Sequence, residues 1–112
     1  MKNLSKLSAK WQKILRLQDW EVDINFYRAR DFTNSGAVGE CTFNINARNA
    51  VIKILDPIDY NGEHDIEWTV VHELLHLHFA GWTAANNYEC PISAEQGIDA
   101  IAQALTKLEK KR

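Results

Sequence analysis

Apolar residues recur along the chain with two different periods, which predict its helices and strands. In the first seventeen residues they are spaced three or four apart between lysines, as on one face of a helix; they are Leu4, Leu7, Trp11, Ile14 and Leu15. From Trp20 to Phe26 every second residue is apolar and its neighbours are polar, which is typical of a half-buried strand. An amphipathic helix over residues 4–17 and a first strand over residues 20–26 are therefore predicted.

A second pair of strands is predicted in the middle of the chain. Cys41, Phe43 and Ile45 alternate with polar residues, and residues 50–55 are mostly apolar. The polar segment 47–49 between them predicts a short turn, and two strands joined by a short turn pair as an antiparallel hairpin. Together with the first strand, a small, mainly antiparallel sheet of three strands is expected.

The last two predicted elements are helices. The first covers residues 63–80, and its central part is apolar on almost every side, as expected of a buried helix. The second begins at Ser93, where Gln96 occupies the capping-box position, or one turn earlier with Pro91 as its first residue, and it continues to about Lys110. The order of one helix, three strands and two helices predicts an α+β fold.

Length and composition restrict the class of protein further. The chain has 112 residues, 46% hydrophobic and 25% charged, and is expected to form one domain over residues 1–112 with a hydrophobic core. A net charge of −2 gives no strong attraction to nucleic acid or to anionic membranes, and no segment approaches the ~20 apolar residues of a membrane span. Cys41 and Cys90 are expected to remain reduced in a cytoplasmic protein.

The segment His72-Glu73-Leu74-Leu75-His76 is the candidate for chemistry. Residues four apart share one face of a helix, so both imidazoles can point at a single ion. Burying two histidines and a glutamate in an apolar helix costs several kcal/mol unless they are paired or ligated, and a metal ion removes that cost. Zinc suits the arrangement, because catalytic zinc sites use three protein ligands and leave a position open to water. Glu73 would lie near that water as its general base.

A third ligand is needed, and the candidates are His64, His78, Glu89, Cys90 and Glu95. His78 points to a nearly opposite face of its helix and His64 lies two turns before the motif, so neither converges easily on the ion. Glu95 is favoured because Asp99 follows it by four residues on the same helix face, and a second carboxylate can accept the other ring N–H of a ligating histidine. Cys90 and Glu89 remain alternatives.

These residues resemble a known group of enzymes. The motif at residues 72–76, followed by a glutamate and an aspartate on the next helix, is similar to the pattern of the gluzincin metallopeptidases. The separation of 19 residues between positions 76 and 95 is close to theirs, and the short chain resembles their minimal, phage-type members. The resemblance implies a zincin-like domain with zinc bound by three residues, His72, His76 and Glu95. It also implies that Glu73 is the general base and that Asp99 orients His72.

The function expected from this resemblance is the hydrolysis of peptide bonds by a zinc metalloendopeptidase, with an extended peptide or protein segment as substrate. A regulatory protease of one protein partner, similar to the ImmA/IrrE or SprT-like groups, is an alternative. A zinc-stabilised interaction module without catalysis is another. That module needs a closed site with a fourth ligand such as Cys90 or His64, and Glu73 would then have no role beside the metal.

Other residues are expected near the cleft. The resemblance places the hairpin, residues 40–55, beside extended substrate, with Asn44 and Asn46 on its polar face; exposure to solvent alone is an equal alternative for these asparagines. Full-size gluzincins polarise the scissile carbonyl with groups from a further domain, for which this chain has no room. Candidates for that role here are Tyr60, His64 and Tyr88. Two aromatic residues of the predicted loop 81–91 are expected to cap the core, or else to line a substrate pocket: Trp82 and Tyr88.

Overall fold

The computed structural model describes residues 3–112 and begins with helix α1, Leu4–Ile14. The Asn3 side chain caps this helix by accepting a hydrogen bond from a backbone N–H of the first turn (3.0 Å), a common start signal. The buried ring of Trp11 anchors the helix to the core. The helix ends before the predicted residue 17, because Arg16 adopts a left-handed backbone conformation (φ 59°) that a right-handed helix cannot continue.

The sheet has three strands, which are β1 (Glu21–Tyr27), β2 (Gly39–Asn44) and β3 (Asn49–Leu55). β3 is central, β2 pairs with it antiparallel as the predicted hairpin requires, and β1 pairs with it parallel. The sheet is therefore mixed, with one pairing of each kind. Parallel pairing is possible because residues 28–38 cross from the end of β1 to the start of β2 on the far side of β3. The predicted α+β fold class is confirmed.

Helix α2, Ile66–Leu75, carries the motif and begins later than predicted. Asp65 caps it, since its carboxylate accepts a hydrogen bond from the backbone N–H of Trp68 (3.1 Å). An N-cap residue has a non-helical backbone, so residues 63 and 64 lie before the helix rather than in its first turn.

The segment after α2 is not a regular α-helix. It tightens into a 3-10 turn, His76–Phe79, and then forms a short helix α3, Ala80–Ala85. The apolar pattern continues through both, and a short 3-10 stretch at a helix end is not separated from an α-helix by such a pattern. The prediction of one continuous helix to residue 80 was therefore wrong at this end.

The last helix, α4, is Ile92–Lys110. Its N-cap residue is Pro91, whose backbone is extended (ψ 153°), so neither Ser93 nor Pro91 is the first helical residue. The Ser93 side chain makes no capping hydrogen bond, and the prediction of a capping box was wrong. Buried side chains at a spacing of four then face the rest of the protein; they are Ile98, Ala102 and Thr106.

The hydrophobic core lies between the sheet and helices α1, α2 and α4. Three residues of α2, Val70, Val71 and Leu74, are fully buried, and Ile52 and Ile54 of β3 meet them from the sheet. This confirms that the motif helix is an interior element. No helix within residues 3–112 is long and apolar enough to cross a membrane.

Candidate metal centre

Two helices bring three side chains of the metal-binding type to one point. His72 and His76 project from the last turn and the C-cap of α2, and Glu95 projects from the first turn of α4. The Nε2 atoms of the two histidines lie 3.1 and 3.0 Å from the same Glu95 carboxylate oxygen. One ligand atom from each of the three residues lies within 4.8 Å of the other two, so this group could hold a metal ion.

Two of the three separations between these atoms fit a small tetrahedral ion. Ligand bonds of 2.0–2.1 Å at tetrahedral angles separate neighbouring ligand atoms by about 3.3 Å, close to the 3.0 and 3.1 Å observed. Burial lowers the pKa of His76, although the nearby Glu95 carboxylate opposes this shift. A neutral imidazole is the form that binds metal, so the burial favours a ligating state.

Asp99 lies one turn after Glu95 and contacts the other side of the His72 ring. Its Oδ1 is 2.9 Å from His72 Nδ1, a distance at which the ring N–H donates to the carboxylate. Because Nδ1 is occupied in this way, Nε2 is the nitrogen left to face Glu95 and the candidate ion. This is the arrangement in which a carboxylate fixes the tautomer and orientation of a metal-binding histidine.

Glu73 is buried beside these ligands, with 6% of the residue exposed. Burial is the main cause that raises the pKa of its carboxyl to about 7; His72 opposes the shift, and the carboxylates of Glu95 and Glu40 add to it. The edge strand also contacts this side chain directly. A β-carbon placed on Gly39 would lie 2.7 Å from Glu73 Oε2.

A cleft of about 820 Å³ opens over the three candidate ligands. One wall is strand β2, and the others come from α2, the start of α4 and the loop before β2. Residues 39–43 of β2 all line the cleft. Because β2 is an outer strand of the sheet, its backbone edge adjoins this open space.

Aromatic and aliphatic side chains form one end of the cleft. Tyr88 is 63% exposed and lines the cleft, and its ring lies 5.8 Å from that of Phe43 on β2. Asn87 and Tyr88 both have left-handed backbones (φ 59° and 60°), which are strained for residues other than glycine. Ile92 also lines the cleft and is 78% exposed. Of capping the core and lining a pocket, the structure shows the second for Tyr88, whose side chain lines the cleft.

Several residues considered from the sequence lie away from the three candidate ligands. His78 Nε2 is bonded to a backbone carbonyl just after α1 (2.7 Å), and His64 stacks on Tyr60 with ring centroids 4.8 Å apart. None of these three side chains lines the cleft. Cys90 does line it, but within residues 3–112 the candidate metal group contains neither Cys90 nor Glu89. Both cysteines of the chain are free thiols.

The two hairpin asparagines considered from the sequence, Asn44 and Asn46, do not line the cleft. The Asn44 side chain accepts a hydrogen bond from the backbone N–H of Ala47 (3.1 Å) and closes the turn between β2 and β3. Asn46 is exposed at the same turn. Trp82 lies on α3, is 45% exposed and does not line the cleft.

Sequence reasoning missed Gly39. No periodic or motif signal connects this residue with Glu73, since the two are 34 positions apart in the sequence. The one available signal was a glycine directly before the predicted hairpin, because a glycine in a strand often marks a close approach of backbone to another group.

Comparisons with protein-family models, with curated proteins and with solved structures gave no match to this chain. The similarity to gluzincins therefore stays a prediction based on the residues of the motif and of α4. The geometry of the site has to be interpreted from its own chemistry.

Proposed function

We propose that this protein is a zinc-dependent metallopeptidase. The observation that carries the proposal is the convergence of His72, His76 and Glu95 at the base of an open cleft, with Glu73 beside them. Three protein ligands and an open side are typical of catalytic zinc, whereas structural zinc sites are closed by four. Within residues 3–112 the group has three members, which favours catalysis over a non-catalytic zinc module.

The chemistry follows from the positions of these residues. His72, His76 and Glu95 would hold the ion, which when bound supplies a Lewis acid that activates water and polarises the scissile carbonyl. Glu73 takes a proton from the attacking water and passes it to the leaving amide nitrogen. A general base works best with a pKa near the working pH; burial raises the pKa of the Glu73 carboxyl, and a bound cation would act in the opposite direction. Asp99 keeps the His72 ring in the ligating orientation.

The free edge of β2 supports an extended peptide as substrate. Within the described chain β2 is hydrogen-bonded to β3 on one side only, and its other side adjoins the cleft. An extended segment can add to such an edge through backbone hydrogen bonds, and pockets for its side chains then give specificity. Tyr88, Phe43 and Ile92 would contact apolar side chains of that segment at one end of the cleft.

The test combines metal content with one substitution. Purified protein should hold one zinc per chain and should cleave an unstructured protein substrate such as casein only in the metal-loaded form. Glu73→Gln should keep the zinc and lose activity by about 10²- to 10⁴-fold, the usual contribution of a general base. Glu63→Gln is the matched control, because Glu63 is exposed and does not line the cleft. A protein without stoichiometric zinc, or a Glu73→Gln variant as active as the wild type, would contradict the proposal.

A further inference from the structure

Gly39 is the first residue of β2, and its missing side chain leaves a space that the catalytic candidate fills. A β-carbon there would lie 2.7 Å from Glu73 Oε2, 3.0 Å from Glu73 Cδ and 2.9 Å from Thr69 Cγ2. Carbon atoms do not approach non-bonded heavy atoms this closely. The backbone of Gly39 is not left-handed, in contrast to Gly36 and Gly62 (φ 84° and 116°). The glycine is therefore required by this contact rather than by the conformation of its own backbone.

The Glu73 carboxylate has few other constraints on its position. None of the hydrogen bonds between described residues involves it, although it is nearly buried. A buried carboxylate is usually oriented by hydrogen-bond donors. Here packing against neighbouring atoms has to hold the Glu73 carboxylate in place. Gly39 approaches the carboxylate from the edge strand, and the methyl group of Thr69, one turn before Glu73 on α2, approaches the same side of Gly39.

From this contact we propose that Gly39 is a positioning residue, one that sets the place of the Glu73 carboxylate beside the candidate metal site. The inference rests on the proposed function, because it assigns Gly39 a role in catalysis through Glu73. None of the three atoms nearest to a β-carbon at Gly39 belongs to a candidate metal ligand. It acts through the general base alone, and the edge strand therefore has a second role besides holding substrate.

The strand cannot retreat to make room for a side chain at this position. Gly39 pairs with Ile54 of the central strand, which is fully buried, and the carbonyl of Val38 accepts a hydrogen bond from Leu55 N–H (2.9 Å). The end of the Glu73 side chain is flexible by comparison. A methyl group on Gly39 will consequently displace the carboxylate and leave the backbone and the metal ligands in place.

Gly39→Ala is the variant that tests this. We expect it to bind one zinc with wild-type affinity and to lose kcat by about 10²-fold with little change in KM, since a displacement of about 1 Å from the reacting geometry costs that much. Gly97→Ala and Gly81→Ala are matched controls. A β-carbon meets nothing within 4 Å at Gly97 and only Ile45 Cδ1, at 3.7 Å, at Gly81, so both controls should keep wild-type activity.

A double-variant comparison separates positioning from a general structural effect. If Gly39 acts through Glu73, adding Gly39→Ala to Glu73→Gln should cause no further loss of the residual activity, because the group being positioned is already disabled. A further loss equal to that of Gly39→Ala alone would overturn the inference. So would a loss of zinc affinity in Gly39→Ala, since the atoms nearest to a β-carbon at Gly39 belong to Glu73 and Thr69 and not to a candidate metal ligand.

Crystal structures give a readout that does not depend on activity. In Gly39→Ala the Glu73 carboxylate should be displaced by about 1 Å or more, whereas the Gly97→Ala control should leave it in place; an undisplaced carboxylate overturns the inference. If Gly39→Ala does not fold, Gly39→Ala/Thr69→Ser removes the methyl group 2.9 Å from the added β-carbon and serves in its place, with Thr69→Ser alone as its control. If the wild type binds zinc but cleaves no peptide, the proposed function is contradicted. If Gly39→Ala has wild-type activity, only this inference is contradicted.

Discussion

At the scale of single residues, two carboxylates near the start of α4 make different contacts with the histidines of the motif. Glu95 presents one oxygen to both imidazole Nε2 atoms, at 3.0 and 3.1 Å, whereas Asp99 contacts only the far nitrogen of His72, at 2.9 Å. The two carboxylates lie four residues apart on one helix, so the same rigid element carries a candidate ligand and the group that orients another. Removing the Asp99 carboxylate should weaken metal binding without abolishing it.

Asp99→Asn is expected to reduce zinc affinity by about 10- to 100-fold, the usual cost of losing such a supporting carboxylate. The amide keeps the size of the side chain but cannot accept the ring N–H as strongly. A competition titration with a coloured chelator measures the affinity, and Asp23→Asn on the exposed face of β1 is the control. Equal affinities for the two variants would refute this role for Asp99.

The candidate site was predictable from the sequence to the extent that its contacts are local. His72 and His76 are one turn apart on a helix, and so are Glu95 and Asp99, so each pair follows from helical spacing alone. Gly39 was not predictable as a member of the cleft in the same way, and for Tyr88 the sequence left capping the core and lining a pocket as alternatives. Their positions depend on how the β2 strand and the α3–α4 loop pack against α2, and no short-range pattern records such packing.

At the scale of elements, an ion pair ties the sheet to the segment that follows it. Arg28, just after β1, donates two hydrogen bonds to Asp59 in the 3-10 turn after β3 (2.8 and 3.0 Å), and the backbone N–H of Ala29 donates a third (2.8 Å). These bonds, led by those from Arg28, lower the pKa of Asp59 from 3.8 to about 2. The contact between Arg28 and Asp59 thus depends on the Asp59 carboxylate being ionised.

The lowered pKa of Asp59 fixes the direction in which the stability of the protein changes with pH. A carboxyl whose pKa is lower in the folded state stabilises the protein above its unfolded pKa of 3.8, and the stabilisation is lost as the pH falls through about 2. Wild type should therefore exceed Asp59→Asn in free energy of unfolding at pH 5 to 7, and the difference should shrink towards pH 2. Urea unfolding at a series of pH values measures it; a difference that does not change with pH would contradict the assignment.

The element boundaries also show which parts of the fold a pattern can predict. The strands followed from their alternation, but alternation is the same in parallel and antiparallel pairs, so the parallel pairing of β1 with β3 could not be derived from it. Similarly, the apolar pattern continues past Leu75 although the helix tightens at His76. The change of helix type depends on packing around His76–Phe79 rather than on the spacing of apolar residues.

At the scale of the whole molecule, the core is continuous and does not include the candidate ligands. It joins α1, the sheet, α2 and α4 through buried apolar residues that include Trp11, Ile52, Val70 and Ile98. The three metal-binding candidates lie at the margin of this core, with side chains between 14% and 45% exposed. A core that forms without the ion predicts a protein that stays folded when the ion is removed.

Chelation should accordingly lower the melting temperature without abolishing the fold. Free zinc at 100 times its Kd stabilises a folded protein by about 2.7 kcal/mol, which for a domain of this size corresponds to a shift of about 10 °C or more. Circular dichroism at 25 °C should keep its helical signal in EDTA, and Glu95→Gln should show a smaller zinc-dependent shift. Unfolding at 25 °C on chelation would indicate a structural zinc site instead.

The unpaired edge of β2 has one further consequence. An open strand edge can pair with the edge of another molecule unless charges, bulges or prolines prevent it. In Gly39–Asn44 the one charged residue is Glu40, and Thr33 already holds its carboxylate. Two copies joined at this edge would cover each other's clefts, so specific activity would fall as the protein concentration rises. A bound peptide would occupy the same edge and keep the protein from aggregating.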